Sequence, residues 1–156
     1  MADRVIRGKI LGGDIVIRIS DEAKLSVAID HIKERMGDLS PFWAASESAF
    51  WTNEQIIWSR RGWPEPWPPL AASTIAQKRG PGILRETDRM YQSVTSHTAD
   101  TIFEYSARKV TFGTMVPYAT YHMTGTSRMP ARPFMAMTPE VWNALNVSLL
   151  RWLLDV

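Results

Sequence analysis

The chain has 156 residues, 45% of them hydrophobic and 22% charged, a size and balance that suit one soluble, globular domain with a real core. It contains no cysteine, which excludes disulfides, thiolate metal sites and cysteine nucleophiles and leaves stability to packing. A formal net charge of +2 and a pI near 9.1 are too mild to imply nucleic-acid binding by themselves. No apolar run approaches a bilayer span, and Met1-Ala-Asp-Arg-Val-Ile-Arg7 lacks the apolar core of a secretory signal, so the chain is expected to start in the cytoplasm where it is made.

In chain order, Val5-Ile6-Arg7 and Lys9-Ile10-Leu11 lead to Gly12-Gly13, after which Ile15, Ile17 and Ile19 alternate. This pattern predicts a hairpin with strands over 4–11 and 14–20. Ser20-Asp21-Glu22 opens a helix that presents Leu25, Ile29, Ile32 and Met36 on one face and stops at Gly37. Ser40-Pro41 opens a second, with Ser40 as cap, predicted to reach Ser59, and Thr52-Asn53 is a place where it could break. Four prolines within the six positions 64–69 make 60–69 an extended, polyproline-like loop. Short helices follow over 71–79 and 83–93, separated by Gly80-Pro81-Gly82. Strands are predicted over 94–98, 101–105 and 109–113, then a helical turn over 117–123 stopped at Gly125. Thr138-Pro139-Glu140 starts a last helix with an apolar face of Trp142, Leu145, Leu149, Trp152 and Leu153. Strands that cluster among clustered helices predict an α+β fold. We expect a single domain with a mostly antiparallel sheet packed against several helices, parsed as a hairpin (1–20), a helical stretch (21–59) and the remainder (60–156).

Little here resembles a catalytic centre. His31, His97 and His122 are scattered and have no ligand-spaced companions, so no metal site is expected. There is no nucleophile elbow, and the glycines between 8 and 13 lack the Lys-Ser/Thr of a phosphate loop. Glu86 and Asp88 are flanked by Arg85 and Arg89 and read as a charge-balanced surface. The expectation is a non-enzyme with no cofactor.

Three features point instead to contacts. Five of the seven tryptophans fall between Trp43 and Trp67, as a Trp-rich core or as contact residues at a protein interface, with Trp63 and Trp67 docking on their own core or on a neighbouring subunit. From Tyr105 to Pro139 there is no acidic residue, while Arg108, Lys109, Arg128 and Arg132 fall there: a solvated rim, or a face toward DNA or an acidic partner. In Met129-Pro-Ala-Arg-Pro-Phe134 two prolines fix the backbone, so that Phe134 can bury while Arg132 offers its fork to a carboxylate, a carbonyl or a helix end, within the subunit or across to another. His122, beside Tyr118, is a packed imidazole or a residue that orders the 128–132 loop.

Read together, Trp67-Pro68-Pro69-Leu70, Thr74 with Lys78, Ile83-Leu84, Tyr118-Ala119, His122, Gly125 and Pro130-Ala131-Arg132-Pro133-Phe134 form an ordered set. At these residues the chain resembles the tail-completion (virion morphogenesis) family of tailed bacteriophages, as found in Mu-like phages. The resemblance covers about residues 60–156. It departs at Thr87-Asp88, where the family often carries a glycine after the threonine, and at Trp63-Pro-Glu-Pro, which expands the tryptophan-proline motif. The resemblance implies a structural virion protein at the head–tail junction that caps the tail and supports head–tail joining. It further implies a homo-oligomeric ring, a hexamer by analogy, contacting tail-tube and head–tail connector proteins and made in the host cytoplasm, with no membrane partner. Phage DNA would pass through its lumen without sequence-specific contact. On that reading Trp63, Trp67, Tyr118, His122, Arg132 and Phe134 are candidate subunit-interface residues, Arg108, Lys109 and Arg128 are candidate lumen-facing residues, and Arg132→Ala leaves the subunit folded but impairs assembly. The alternatives are a nucleic-acid-binding module and a morphogenesis factor absent from the mature particle.

Overall fold

A computed structural model describes residues 4–10, 13–19 and 22–154, with side chains from Lys24 onward. Leu11, Gly12 and the Ser20-Asp21 helix opening lie outside the described residues. The elements are β1 (Arg4–Ile10), β2 (Gly13–Ile19), α1 (Glu22–Gly37), α2 (Ser40–Arg60), α3 (Ala72–Gln77), α4 (Arg89–Thr95), β3 (Thr101–Ser106), β4 (Lys109–Thr114), α5 (Ala119–Thr124) and α6 (Pro139–Leu154). The fold is α+β, and among the described residues strand pairing is antiparallel, but the strands form two separate hairpins, β1–β2 and β3–β4, among predominantly helical elements.

The helix α2 is the spine. Its buried residues Phe42, Ser46, Phe50, Asn53, Glu54, Ile57 and Trp58 recur at helical spacing along one face. The first half of that face builds one core cluster, in which Phe42 and Phe50 meet Val141 and Leu145 of α6, with Phe103 and Phe112 of the β3–β4 hairpin against them. The second half builds another from Ile57 and Trp58 with Trp67, Met90, Val94, Val116, Ala119 and Phe134. The partly buried Phe112 touches both clusters. α1 packs on α6, where the Arg35 guanidinium donates to the Trp152 carbonyl and lies 5.2 Å over its ring.

Several local expectations change. α2 starts at Ser40 with Pro41 in its first turn, but its cap is Leu39, and the Ser40 N–H is taken by the Asp38 carboxylate at 2.8 Å. It runs unbroken through Thr52-Asn53, and ends where Arg61 turns left-handed at φ 57 and Gly62 at φ 134 returns its N–H to the Ile57 carbonyl. A Cβ on Gly62 would lie 2.8 Å from the Trp67 nitrogen, so this turn requires glycine. The helix expected over 83–93 begins only at Arg89: Leu84 and Asp88 hold φ of 61 and 60, which breaks helical backbone twice. Residues 94–95 finish α4 in place of a strand, because Val94 is fully buried in the second cluster and the Thr95 hydroxyl donates to the Tyr91 carbonyl. The tryptophans are mostly internal: Trp58 and Trp67 are buried and Trp43, Trp51, Trp63 and Trp152 half-buried, leaving Trp142 as the exposed one.

Asn53 explains the continuity of α2. Its carboxamide donates to the Ala136 carbonyl and accepts the Thr138 N–H at 3.0 Å, so it holds the extended chain before α6 against the spine. Its neighbour Glu54 is almost fully buried, accepts from the Asn53 amide at 3.1 Å, and has one carboxyl oxygen without a partner. Burial pushes its pKa up from 4.5 to about 8, against the opposing bonds from Asn53 and the Ala136 N–H. Between those two values the fold keeps a proton that the unfolded chain releases, so the Glu54 contribution to stability is full below pH 4.5 and falls as pH rises to about 8. Chemical denaturation of Glu54→Gln alongside the parent should therefore show the variant gaining on the parent between pH 5 and 7.5, by roughly 2–3 kcal/mol. Parallel pH profiles for the two proteins would contradict a buried, protonated Glu54.

Candidate functional site

Two proline-rich segments meet over the second core cluster and brace each other. The Trp67 indole N–H donates to the Pro133 carbonyl at 2.6 Å. In return Arg132 Nε donates to the Pro68 carbonyl and Nη2 to the Pro69 carbonyl, each at 2.9 Å. Prolines cannot donate N–H bonds, so neither segment can satisfy the other through a strand ladder, and side chains supply the donors instead. Beneath the brace the Trp67 and Phe134 rings pack on Trp58, at 5.2 and 5.9 Å between centroids. α5 closes the assembly: the Arg132 N–H donates to the His122 carbonyl at 2.7 Å, and Gly125, at φ 73, lies so near residue 131 that a Cβ would come within 2.7 Å of the Ala131 nitrogen.

Above this floor opens a cleft of about 1180 Å³. One wall is α3, every residue of which is exposed. The opposite side is formed by Tyr118, which caps α5, and His122 of α5, with Arg128 and Met129 of the following loop. The turn over 84–88 forms the end, and it is tightly tied. Lys78 Nζ donates to the Arg85 carbonyl at 2.7 Å and to Glu86 at 2.8 Å, and Glu86 also accepts the N–H groups of Arg79 and Gly80. These bonds, Lys78 first, hold the Glu86 pKa below its ordinary value. Asp88 takes both Nε and Nη2 of Arg85, at 2.8 and 2.7 Å, which lowers its pKa in the same way. Arg89 pairs with both oxygens of Asp100 at 2.6 and 2.7 Å.

The charge balance of the cleft follows from these pairs. Lys78, Arg85 and Arg89 each have a carboxylate, whereas none of the described carboxylates is in ion-pair range of Arg128 or Arg132. Arg132 is only 5% exposed; burial lowers its pKa, but a guanidinium stays charged. Its bonds go to neutral carbonyls, and Nη1 makes none among the described residues. Next to it the His122 pKa is lowered from its ordinary value, first by burial and second by the Arg132 charge, and its Nδ1 is buried without a partner.

The residues singled out in the sequence are thus sorted by the structure. Trp67, Arg132 and Phe134 are buried, Trp67 and Arg132 tied into the brace and Phe134 packed in the core, with Nη1 of Arg132 left without a bond among the described residues. Trp63 is half-buried against the same core. Tyr118 and His122 face the cleft, with their rings in a T-shaped contact at 6.0 Å. The basic residues are divided. Arg108 and Lys109 are exposed at the β3–β4 tip, which is fixed to the start of α2 by the Leu39 N–H bond to the Ala107 carbonyl, whereas Arg128 lines the cleft over the far end of α2. The 21 residues of α2 put about 30 Å between those ends. Sequence reading missed Asn53 and Glu54, which look like exposed helix residues in a polar stretch, and the left-handed Leu84 and Asp88. Asp88 carries a signal of its own, because aspartate is among the few residues that tolerate the left-handed backbone it holds at φ 60.

The chain matches no family model, no curated protein and no solved structure. Among the described residues no group of three His, Cys, Asp or Glu could hold a metal ion, and no helix is long and apolar enough to cross a membrane.

Two outcomes follow for this site. Arg132→Ala leaves the Pro68 and Pro69 carbonyls without their donors and should lower unfolding free energy by roughly 3 kcal/mol in urea or guanidinium titrations; a loss under about 1 kcal/mol would contradict the structural role of the guanidinium. Asp88→Ala and Asp88→Gly both remove the Arg85 partner, but only alanine must strain at φ 60, so the glycine variant should be more stable by about 1 kcal/mol. Equal stability would mean that the left-handed backbone at 88 carries no strain.

Proposed function

We propose that the protein is a structural component of a tailed-phage particle, placed at the head–tail junction, where it completes the tail and prepares it for joining. The observation that carries this reading is the convergence of the ordered motif residues. Leu70, Thr74, Lys78, Leu84, His122 and Arg132 are spread over more than sixty positions of the sequence yet line one cleft. The Trp67 and Phe134 of the same motifs are buried in the adjoining core cluster. The left-handed Asp88 adds support, since the chain's one departure inside the 84–88 turn falls where the backbone has the geometry of a glycine.

Assembly is supported by the apolar surface elsewhere. Val27, Ile29 and Met36 of α1 and Trp142, Val147 and Leu154 of α6 are all at least 42% exposed. Large exposed apolar side chains in such numbers suit a subunit that is covered by neighbours in its working state. In a ring, Arg108 and Lys109 at the β3–β4 tip are the residues suited to face DNA, with Arg128 and Arg132 reserved for the cleft. The division of these basic residues between two ends of α2 disfavours a nucleic-acid-binding module built from all four.

Disrupting the coding sequence in the phage and imaging the lysate tests this directly. Filled heads and unjoined or irregularly ended tails are expected, with joining restored by the intact chain, and mass spectrometry of purified wild-type particles should detect the protein. Infectious, joined particles from the disrupted phage would overturn the proposal, and joined wild-type particles lacking the protein would identify it as an assembly factor that leaves.

A further inference from the structure

The cleft has a volume, a polarity and a charge that together specify an occupant. Resting on the virion reading above, we propose that it receives an acidic, apolar polypeptide segment of a different structural protein, whose carboxylate is met by Arg128 at the rim and by Arg132 at the floor.

Size comes first. About 1180 Å³ exceeds the roughly 300–1,000 Å³ usual for small-ligand pockets and suits a stretch of polypeptide. Chemistry comes second. Leu70, Leu84, Met90, Met129 and Pro130 supply apolar contact surface, and Tyr118 adds a ring at the edge. Charge decides the rest. The other cations at this site are neutralised within the chain, by Glu86, Asp88 and Asp100, so the two that remain are Arg128 and Arg132. Arg132 is 5% exposed, which makes its unneutralised charge costly unless an anion arrives. Its planar fork is already fixed by the Pro68 and Pro69 carbonyls, with Nη1 left over, so a carboxylate would meet a donor that has no rotamer freedom still to lose.

A nucleic acid is the less suitable occupant. A phosphate backbone requires a track of exposed cations, and here one of the two is buried on the floor of an apolar cleft while the other exposed candidates, Arg108 and Lys109, are at the opposite end of α2.

The test uses the full chain and three probes: a short fluorescein-labelled peptide in which Asp and Glu alternate with Leu and Phe, its Asn/Gln counterpart, and a single-stranded oligonucleotide. Binding is read by fluorescence anisotropy, and its location by NMR of the Arg132 Nε–H and His122 ring signals. The acidic peptide should bind at least ~10-fold more tightly than its amide counterpart and should shift both signals. Arg128→Glu, at an exposed side chain outside the brace, should weaken the acidic peptide by ~10-fold or more with the fold unchanged, and Arg128→Lys should largely preserve binding. Equal binding of the two peptides would reduce the cleft to an apolar groove and overturn the proposal. So would no binding at millimolar peptide, or an oligonucleotide that shifts the cleft signals more strongly than the peptide. None of these results bears on whether the protein is part of the particle, which the composition of purified virions decides separately.

Discussion

Everything on one side of this molecule depends on two proline-held segments exchanging hydrogen bonds through side chains. A carbonyl that faces the interior needs a donor, and a neighbouring segment rich in proline has few backbone donors to give. The chain meets this shortage with the two donors best suited to reach across: an indole N–H from residue 67 and a guanidinium fork from residue 132. Because each segment both gives and receives, neither can shift without stranding polar groups of the other. Trp58, packed beneath both, converts the brace into part of the core.

This solution has an electrostatic consequence. An arginine used as a structural donor to neutral carbonyls brings a full charge into the fold without cancelling it. A lysine or a neutral amide would supply fewer aligned bonds, and a carboxylate partner would cancel the charge but leave the two carbonyls unmet. The cleft above the brace is therefore positive at its floor as a direct result of how the two segments are held together, and that charge, after burial, lowers the pKa of His122 beside it. In the occupant we propose for the cleft, structure and recognition would share one residue, Arg132.

Much of this was legible in the sequence. The α+β class, the first hairpin, the strands at 101–105 and 109–113, the long second helix, the proline loop and the start of α6 follow from alternation, helix openings and breakers. What stayed hidden has identifiable physical causes. The buried face of α2 carries Ser46, Asn53 and Glu54, polar residues that blur the apolar stripe and make the middle of the helix look weak. Their place in the core depends on the distant carbonyl of residue 136 and the N–H of residue 138, which no local pattern reveals. The fork of Arg132 could be read as a donor, but its receivers are 63 and 64 positions away, so the choice between an internal and an external partner could not be made locally. Residues 83–88 have helix-compatible side chains, and their true course is set by the left-handed Leu84 and Asp88 and by the hold of Lys78 and Glu86.

The central claim is that the indole of Trp67 and the guanidinium of Arg132 act as one reciprocal brace. A double-mutant cycle with Trp67→Phe and Arg132→Lys measures it most directly, because each change keeps the ring or the charge and removes the donor geometry. Equilibrium denaturation should give a coupling energy of about 1–2 kcal/mol between the two positions. Strict additivity, within about 0.3–0.5 kcal/mol, would show two independent bonds and contradict the account.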